Sequence, residues 1–410
     1  MNRIALIATL TTAACASASS ISPANSRNPG AIANQRGRPE DVLMSPNVNR
    51  VLDSVMTAGI RAGAAPGGVL AVGRYGRVVH LNGYGKLDYA QSAGTVDENS
   101  IYDMASLTKV IATTSASMVL EEKGLLDLDR TVASYLPEFS APDKASITVR
   151  MIVTHRGGLE AFAALYKNFR GRDQYLAQIN ARPLKSTPGT ETVYSDWDMI
   201  LQQLIIERIT GETLDHYVDA HVFKPLGMTS TMFNPDTSLF PRIATTELDT
   251  ATGGLMRGLI HGSVHDENAF AMGGVSGHAG LFSTARDLSI FAQMLLNGGS
   301  YNGVRIVKPE TLARWTAPQG RESSRALGWD TPSKGSSSGN YFSPRSFGHT
   351  GFTGTSIWID PERGLYVILL TNRVDPTRAN NRQGALRKAV ANAAQSAILD
   401  APLIDWEKDR

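Results

Sequence analysis

The stretch Ser106-Leu-Thr-Lys109-Val-Ile-Ala112 begins an apolar segment that ends before Gly124. The apolar residues predict a buried helix, and Gly124 predicts its C-terminal end. Side chains three positions apart lie on one face of a helix, so the Ser106 hydroxyl can meet the Lys109 amine. A lysine among apolar neighbours can lose its charge and accept the serine proton. The stretch therefore predicts a buried helix with an activated serine, and an exposed helical Ser and Lys is the ordinary alternative.

The length and composition of the chain limit its class. It has 410 residues, which is more than one hydrophobic core usually holds, so we expect two domains or one domain with a large insertion. Hydrophobic residues make up 42% of the chain and charged residues 19%, as in globular proteins. The formal net charge is +2 with both signs interspersed, which gives no electrostatic reason to expect nucleic acid as a partner.

The N-terminus has the pattern of a secretory signal: a charged start and an apolar run from Ile4 to Ala16. We expect residues 1–18 to be a signal peptide and the protein to be exported, to the periplasm or the outside of the cell. Cys15, the only cysteine, leaves two alternatives open. It could be lipidated and tether the chain to a membrane, or ordinary cleavage could occur beside it. A single cysteine allows no internal disulfide.

Two predicted hairpins lie near the two ends of the chain. The first joins residues 68–73 to residues 77–82, and the second joins Ser356–Asp360 to Leu365–Thr371. Helical periodicity dominates between them. We therefore expect a mixed α/β fold, with an antiparallel sheet flanked by helices and a large all-helical insertion domain.

This pattern also predicts the domain boundaries. Residues 19–44 are rich in Ser, Asn, Pro, Gly and Arg without a hydrophobic period, which is typical of a flexible tether. One domain is expected over residues 45–400. Within it, residues 45–105 and about 325–400 should form the α/β part, and residues 106–324 the mainly helical part.

Two short motifs follow the Ser106 segment: Tyr194-Ser-Asp196 before a predicted helix, and His349-Thr-Gly351 before a predicted strand. In this order the three motifs resemble the S-x-x-K, Y-x-N or S-x-N, and K-T-G elements of the serine β-lactamase and penicillin-recognising DD-peptidase superfamily. The second motif contains a tyrosine, and in this it resembles the branch that holds class C β-lactamases, HTG-type DD-carboxypeptidases and related esterases. Residues 154–158 and 277–284 are also similar to this branch. The resemblance covers about residues 47–400.

The resemblance implies a role for each motif residue. Ser106 would be the nucleophile that the substrate acylates, and Lys109 would accept its proton or hold the proton network. Tyr194 would pass the proton to the leaving group and later activate water, and which of the two is the base stays open. The backbone N–H groups of Ser106 and Phe352 would form the oxyanion hole. The implied substrate-binding residues are Asp196, His349, Thr350 and Gly351. No cofactor or metal ion is implied.

Two positions depart from the β-lactamase pattern: Asp196 stands where Asn is usual, and His349 stands where Lys is usual. A lysine is a fixed cation for the β-lactam carboxylate, whereas a histidine is mostly neutral at neutral pH and Asp196 adds a negative charge. We therefore expect a serine hydrolase that acts on D-Ala-D-Ala-type peptidoglycan peptides or small carboxylic esters. A class C-like β-lactamase and a catalytically silent penicillin-recognising binding module are the alternatives.

Other interpretations of these residues stay open. Tyr194 could be a core tyrosine, Asp196 a helix cap and His349 a turn residue. The segment Gly335-Ser-Ser-Ser-Gly339 matches the G-x-S-x-G nucleophile motif but lacks the strand and helix that this motif requires on its two sides. A zinc site without an H-E-x-x-H motif could draw on His261, His265, Asp266 and His278.

Overall fold

The computed structural model describes residues 35–250, 255–320 and 323–409. The strands in this part of the chain are β1 (Gly67–Arg74), β2 (Arg77–Gly85), β3 (Tyr102–Asp103), β4 (Met232–Phe233), β5 (Leu248–Asp249), β6 (Gly258–Leu259), β7 (Leu281–Ser283), β8 (Ser300–Tyr301), β9 (Val304–Arg305), β10 (Phe347–Thr350), β11 (Ser356–Asp360) and β12 (Leu365–Thr371).

The α-helices of the same residues are α1 (Val48–Arg61), α2 (Ser115–Glu122), α3 (Val149–Val153), α4 (Gly171–Ala181), α5 (Asp196–Thr210), α6 (Leu214–Val218), α7 (Lys224–Leu226), α8 (Glu267–Ala271), α9 (Ala285–Leu296), α10 (Pro309–Thr316) and α11 (Gln383–Ser396). Two segments are π-helical, Lys109–Thr114 and Asp219–Phe223. Short 3-10 helices are formed by Pro39–Val42, Val132–Ser134, Pro142–Lys144, Leu165–Lys167, Thr237–Arg242 and Trp406–Asp409.

A five-stranded antiparallel sheet in the order β10-β11-β12-β1-β2 forms the α/β part. Both predicted hairpins are present, as β1 with β2 and as β11 with β12. The hairpins are joined by pairing of β1 with β12, in which Gly68 lies opposite Thr371 and Arg74 opposite Leu365. This pairing joins the hairpin near the N-terminus and the hairpin near the C-terminus in one sheet. The predicted mixed α/β class with an antiparallel sheet is confirmed.

Helices cover both faces of this sheet. Leu70 of β1 packs in one cluster with Leu52 of α1 and Leu386 of α11. The next residue along the strand, Val69, lies in the larger core together with Phe291 of α9. Successive side chains of a strand point to opposite faces, so a strand covered on both sides needs apolar residues at every position. This explains the continuous apolar run that predicted β1.

The insertion was expected to be all-helical, but residues 106–324, predicted as the mainly helical part, also contain short strands. Strands β4 and β7 lie in this region and pair with each other, and β7 also pairs with β3, which gives a three-stranded sheet. Helix α9 also lies in this region, but it packs against β1 and β12 of the five-stranded sheet. Strands of two or three residues are too short to show an alternating pattern, and the position of α9 depends on long-range packing.

The predicted tether extends too far towards the C-terminus. Residues 39–42 form a 3-10 turn, Val42 and Met44 are buried, and Met44 pairs with Ile398. Val42 and Met44 are isolated apolar residues and show no periodic pattern in the sequence. Their burial is therefore visible only in the folded structure, where Met44 meets Ile398. The predicted signal peptide, Cys15 and most of the predicted tether lie outside the described residues. No helix in the described part of the chain is long and apolar enough to cross a membrane.

Candidate active site

A strained turn places Ser106 at the beginning of its helical segment. Ala105 has a φ of 45°, a left-handed conformation that is uncommon for a residue other than glycine. The turn is held by Asp103, whose Oδ1 accepts a hydrogen bond from the Ala105 N–H at 2.7 Å and whose Oδ2 accepts one from the His265 N–H at 2.7 Å. The π-helical segment Lys109–Thr114 follows, and π-turns are frequent at functional sites.

The hydroxyl of Ser106 and the amine of Lys109 lie together, as their spacing predicts. Lys109 Nζ donates a hydrogen bond to Ser106 Oγ at 2.8 Å and another to the His278 carbonyl oxygen at 3.2 Å. Lys109 is wholly buried. The Ser106 oxygen thus has a fixed hydrogen-bond donor on its protein side.

The surroundings of Lys109 favour its charged form, which supports the alternative in which it holds the proton network over the one in which it is a neutral base. Its Nζ lies 2.8 Å from Asp196 Oδ1. Burial by itself lowers the pKa of Lys109, but the Asp196 carboxylate and the Tyr194 hydroxyl outweigh it, and the pKa is raised above the ordinary lysine value. The sequence shows the apolar neighbours of Lys109 but not the carboxylate that α5 brings to it.

Tyr194 stands at the centre of a group of basic side chains. Its ring centroid lies 4.8 Å from Lys109 Nζ and 5.0 Å from the guanidinium carbon of Arg325. The rings of His155 and His349 lie 4.6 and 5.8 Å from it, centroid to centroid. Asp196, two residues further on, is the first residue of α5 and directs its carboxylate to Lys109. The second motif therefore meets the first in one pocket.

The segment after β10 packs directly on the turn that precedes Ser106. Thr353 Oγ1 donates a hydrogen bond to the Asp103 carbonyl oxygen at 2.7 Å, and Thr355 Oγ1 donates one to the Met104 carbonyl oxygen at 3.0 Å. Phe352 and Ser106 line the same two cavities. Within the described ranges, neither the Ser106 N–H nor the Phe352 N–H donates to a protein acceptor. This arrangement leaves two backbone donors for a substrate oxygen.

His349 is buried and neutral. Burial lowers the pKa of its imidazole well below the usual value, and the Arg325 and Lys109 cations lower it further. Its Nδ1 lies 2.8 Å from the Thr350 carbonyl oxygen, and its Nε2 lies 3.5 Å from Arg325 Nη1. The neutral state agrees with the expectation from the sequence. The guanidinium of Arg325 supplies a fixed positive charge beside it.

A cavity of about 530 Å³ on one side of the site contains three arginines that sequence analysis missed, Arg325, Arg373 and Arg387. Arg373 Nε donates a hydrogen bond to the Phe352 carbonyl oxygen at 2.7 Å. Burial and the neighbouring Arg373 cation lower the pKa of Arg387 to about 9. The acid on this wall is Asp330, whose pKa burial raises. The cavity is therefore electropositive, although the third sequence motif, at residues 349–351, has a histidine in place of the usual lysine.

A second cavity, of about 300 Å³, lies on the other side of Ser106 and contains acids. The carboxylates of Asp196 and Asp266 and the His278 imidazole offer ligand atoms within 4.8 Å of one another. Burial alone would raise the pKa of Asp266, but His278, whose Nε2 lies 2.9 Å from its Oδ1, outweighs burial and lowers it. Asp196 Oδ1 is already paired with the Lys109 ammonium group. Glu267, the third acid of this cavity, pairs with Arg378, which also lines it. Ser106 thus lies between an arginine-rich cavity and a cavity with three carboxylates, which we call the basic and the acidic cavity.

Comparison with known proteins decides the family. A sequence model of the beta-lactamase family matches residues 52–392, which is most of the chain. The chain belongs to the beta-lactamase family. An Escherichia coli K12 protein named "Putative D-alanyl-D-alanine carboxypeptidase" is 37% identical over 305 residues, which are 67% of this chain and 69% of that protein. This beta-lactamase family member is accordingly a serine hydrolase.

Solved structures show the same fold. A penicillin-binding protein homologue from Caulobacter crescentus superimposes with a TM-score of 0.68 at 21% identity, over 85% of this chain and 98% of that chain. A class C beta-lactamase superimposes with a TM-score of 0.68 at 17% identity, over 84% of this chain and 97% of that chain. The predicted resemblance to the β-lactamase and DD-peptidase superfamily is confirmed.

The G-x-S-x-G segment of this beta-lactamase family hydrolase lies in a loop. Ser337 Oγ accepts a hydrogen bond from the indole N–H of Trp358 at 3.0 Å. Residues 335–339 contain turns and no helix or strand. The hydroxyl therefore fixes a loop to β11, and the segment lacks the strand-turn-helix geometry of a nucleophile motif.

The four residues of the candidate zinc site do not form one group. His261 Nε2 lies 3.0 Å from the carbonyl oxygens of Phe240 and Ile243. His265 Nε2 lies 2.8 Å from Glu247 Oε2. Asp266 and His278 pair with each other in the acidic cavity instead, beside the Lys109 ammonium group.

Gly351 gives a first testable prediction. A Cβ atom at this position would fall far inside van der Waals contact with Thr355 Oγ1 and with the Met104 carbonyl oxygen. Because one of these neighbours is backbone, Gly351→Ala should displace the Phe352 N–H. We expect kcat for p-nitrophenyl acetate to fall by about 10- to 100-fold, the scale of a weakened oxyanion donor.

The control for this substitution is Gly320→Ala, because a Cβ at Gly320 meets no atom within 4 Å. This variant should keep its activity and melting temperature. Wild-type kcat in a folded Gly351→Ala protein would contradict the close packing of this segment against the Ser106 turn.

Proposed function

We propose that this protein is an exported DD-carboxypeptidase-like hydrolase that works through an acyl-enzyme on Ser106. Ser106 Oγ forms a bond to the substrate carbonyl carbon while its proton moves to a base. Breakdown of the tetrahedral intermediate breaks the C–N bond to the terminal D-residue, whose amine takes the proton. Water then hydrolyses the acyl ester and restores the Ser106 hydroxyl.

In this mechanism Tyr194 relays the proton: its oxygen accepts the Ser106 proton as its own phenolic proton passes to the leaving amine, and Lys109 is the fixed cation. A charged Lys109 donates to Ser106 Oγ and has no lone pair with which to accept a proton. Two cations, Lys109 and Arg325, lie beside the Tyr194 ring, so partial negative charge on the phenol during the relay is favoured over partial positive charge. The raised pKa of Lys109 supports this division of roles.

The N–H groups of Ser106 and Phe352 would bind the oxyanion of the intermediate. Donors of this kind are typically worth about 3 to 4 kcal/mol of barrier each. Both residues line the cavities, and neither N–H has a protein acceptor among the residues described. They therefore cost little reorganisation when the substrate carbonyl becomes an oxyanion.

One observation carries the choice of substrate: the electropositive cavity with Arg325, Arg373 and Arg387 lies directly beside Ser106. A peptide that ends in a D-amino acid carries a carboxylate on the leaving group, within a few bonds of the scissile carbonyl. A carboxylate in a partly buried guanidinium cavity forms strong charge-assisted hydrogen bonds. The relatives named as carboxypeptidases and the predicted signal peptide also support a cell-wall peptide as substrate.

The test compares a peptide that ends in D-Ala-D-Ala with the same peptide as its C-terminal amide. We expect kcat/KM for the acid to exceed that for the amide by about 10- to 100-fold, the value of one charge-assisted hydrogen bond. Arg325→Gln should reduce this ratio to a few-fold. The control is Arg314→Gln, because Arg314 is half-exposed and pairs with Glu121 away from the site.

Equal rates on acid and amide would contradict the carboxylate assignment and favour a neutral ester as substrate. Nitrocefin, measured in parallel, tests the class C-like β-lactamase. The three arginines favour this second candidate, because they offer the β-lactam carboxylate the positive charge that His349 lacks. Turnover of nitrocefin that exceeds that of the peptide would make β-lactam hydrolysis the main activity.

A further inference from the structure

His155 contacts the segment around Tyr194 at three points. Its carbonyl oxygen accepts a hydrogen bond from the Val193 N–H at 2.8 Å. Its Nδ1 accepts one from the Ser195 N–H at 3.3 Å. Its ring centroid lies 4.6 Å from that of Tyr194, with the planes tilted by 52°. One residue thus holds the backbone on both sides of Tyr194 and packs against the ring between them.

His155 makes these contacts from a strained backbone. It follows α3 with a φ of 57°, a left-handed conformation, and its side chain is wholly buried. Non-glycine residues in this region cost about 1 to 3 kcal/mol and persist where the surroundings fix them, commonly at functional sites. The same conformation occurs at Ala105, immediately before Ser106. One strained residue, Ala105, thus precedes Ser106, and the other, His155, packs against Tyr194.

A buried carboxyl group fixes the imidazole. Asp198 Oδ2 lies 3.0 Å from His155 Nδ1, and both side chains are almost completely buried. Burial raises the pKa of Asp198 well above its usual value, and burial lowers the pKa of His155 well below its own. Asp198 thus lies against the same Nδ1 that the Ser195 N–H contacts, and it limits rotation of the ring. Gly157 leaves room for this acid, because a Cβ there would lie 2.8 Å from Asp198 Oδ1.

We propose that His155 is a positioning residue for Tyr194: its backbone, its Nδ1 and its ring together fix the phenol opposite Ser106 and Lys109. None of the hydrogen bonds among the described residues joins His155 to Ser106 or Lys109, so it acts through the tyrosine. The inference rests on the proposed function, in which Tyr194 transfers the proton. A displacement of about 1 Å in such a group can cost roughly 100-fold in rate.

The test is a double-mutant cycle between His155→Ala and Tyr194→Phe, with p-nitrophenyl acetate as substrate. In the wild-type background, His155→Ala should lower kcat by about 10- to 100-fold and change KM by less than about threefold. In the Tyr194→Phe background, the same substitution should change kcat by less than about threefold, because the group that it positions is absent. Equal losses in the two backgrounds would overturn the inference.

A conservative variant separates positioning from folding. In His155→Asn, the amide oxygen can accept the Ser195 N–H, and asparagine tolerates a left-handed backbone. This variant should recover about tenfold of the kcat that His155→Ala loses. If His155→Ala does not fold, the cycle is measured with His155→Asn, and a loss of kcat that persists fully in the Tyr194→Phe background again overturns the inference.

His80 provides a matched control. It is a buried histidine whose Nε2 lies 2.7 Å from the hydroxyl of Tyr84, but it lies on β2, away from the cavities. His80→Asn should lower the melting temperature and leave kcat unchanged. Ser106→Ala, assayed beside these variants, distinguishes a failure of the proposed function from a failure of the role of His155. Full activity in Ser106→Ala would refute the proposed function, whereas inactive Ser106→Ala with additive His155 and Tyr194 losses refutes only the role of His155.

Discussion

Replacement of Ser106 by alanine is expected to lower kcat for a D-Ala-D-Ala peptide by roughly 1,000-fold or more. In the proposed mechanism Ser106, which lines both cavities, forms the acyl bond, and its hydroxyl accepts a hydrogen bond from Lys109. The fold should be unaffected, because Ser106 is only partly buried and the substitution leaves no cavity in the core. Steady-state kinetics and thermal unfolding measure the two quantities on the same preparation.

The covalent step can be observed directly. A fluorescent penicillin or a fluorophosphonate should add one adduct mass to the wild-type protein, seen by intact-protein mass spectrometry, and none to Ser106→Ala. Ser337→Ala is the matched control, because Ser337 lies in the G-x-S-x-G segment and bonds to Trp358. An adduct that survives in Ser106→Ala and disappears in Ser337→Ala would reverse the assignment. No adduct in the wild-type protein would favour the silent binding module.

Lys109→Met is expected to lower kcat by about 100- to 10,000-fold, the range for loss of a group in the proton network. Methionine keeps the apolar stem of the side chain but removes the donor to Ser106 Oγ and the cation beside Tyr194. The melting temperature should fall only modestly, because Asp196, which loses its partner, retains 18% side-chain exposure to water. Near-wild-type kcat on p-nitrophenyl acetate would contradict the mechanism.

Lys144 supplies the control for this substitution. It is equally buried and its Nζ donates to Asp143 Oδ1 at 3.0 Å, but it does not line either cavity. Lys144→Met should reduce stability without a change in kcat. The pH dependence gives a second check on Lys109. Its pKa is raised above 10.5, so the stability that the pair with Asp196 contributes is present at neutral pH and is lost only as the pH rises through that raised value.

The site could be predicted from the sequence only where local geometry carries the information. Ser106 and Lys109 are three positions apart, and residues at this spacing lie on one face of a helix, so their contact can be predicted. The hairpin strands can be predicted from their apolar runs. The arginines 325, 373 and 387 come from three separate segments that share no motif. His155 lies in residues 154–158, a segment that resembles the family. Its contacts with the Tyr194 segment, however, depend on the packing of α3 against α5.

The sequence by itself determined the order of the three motifs, the two hairpins and the face on which Ser106 and Lys109 meet. These features depend on residues close together in the chain and on the periods of helix and strand. The tertiary structure alone decided that Lys109 pairs with Asp196 and that Ser106 lies between two cavities of different charge. Both depend on desolvation and on Coulomb interactions between residues far apart in sequence, and such interactions exist only once the chain has folded.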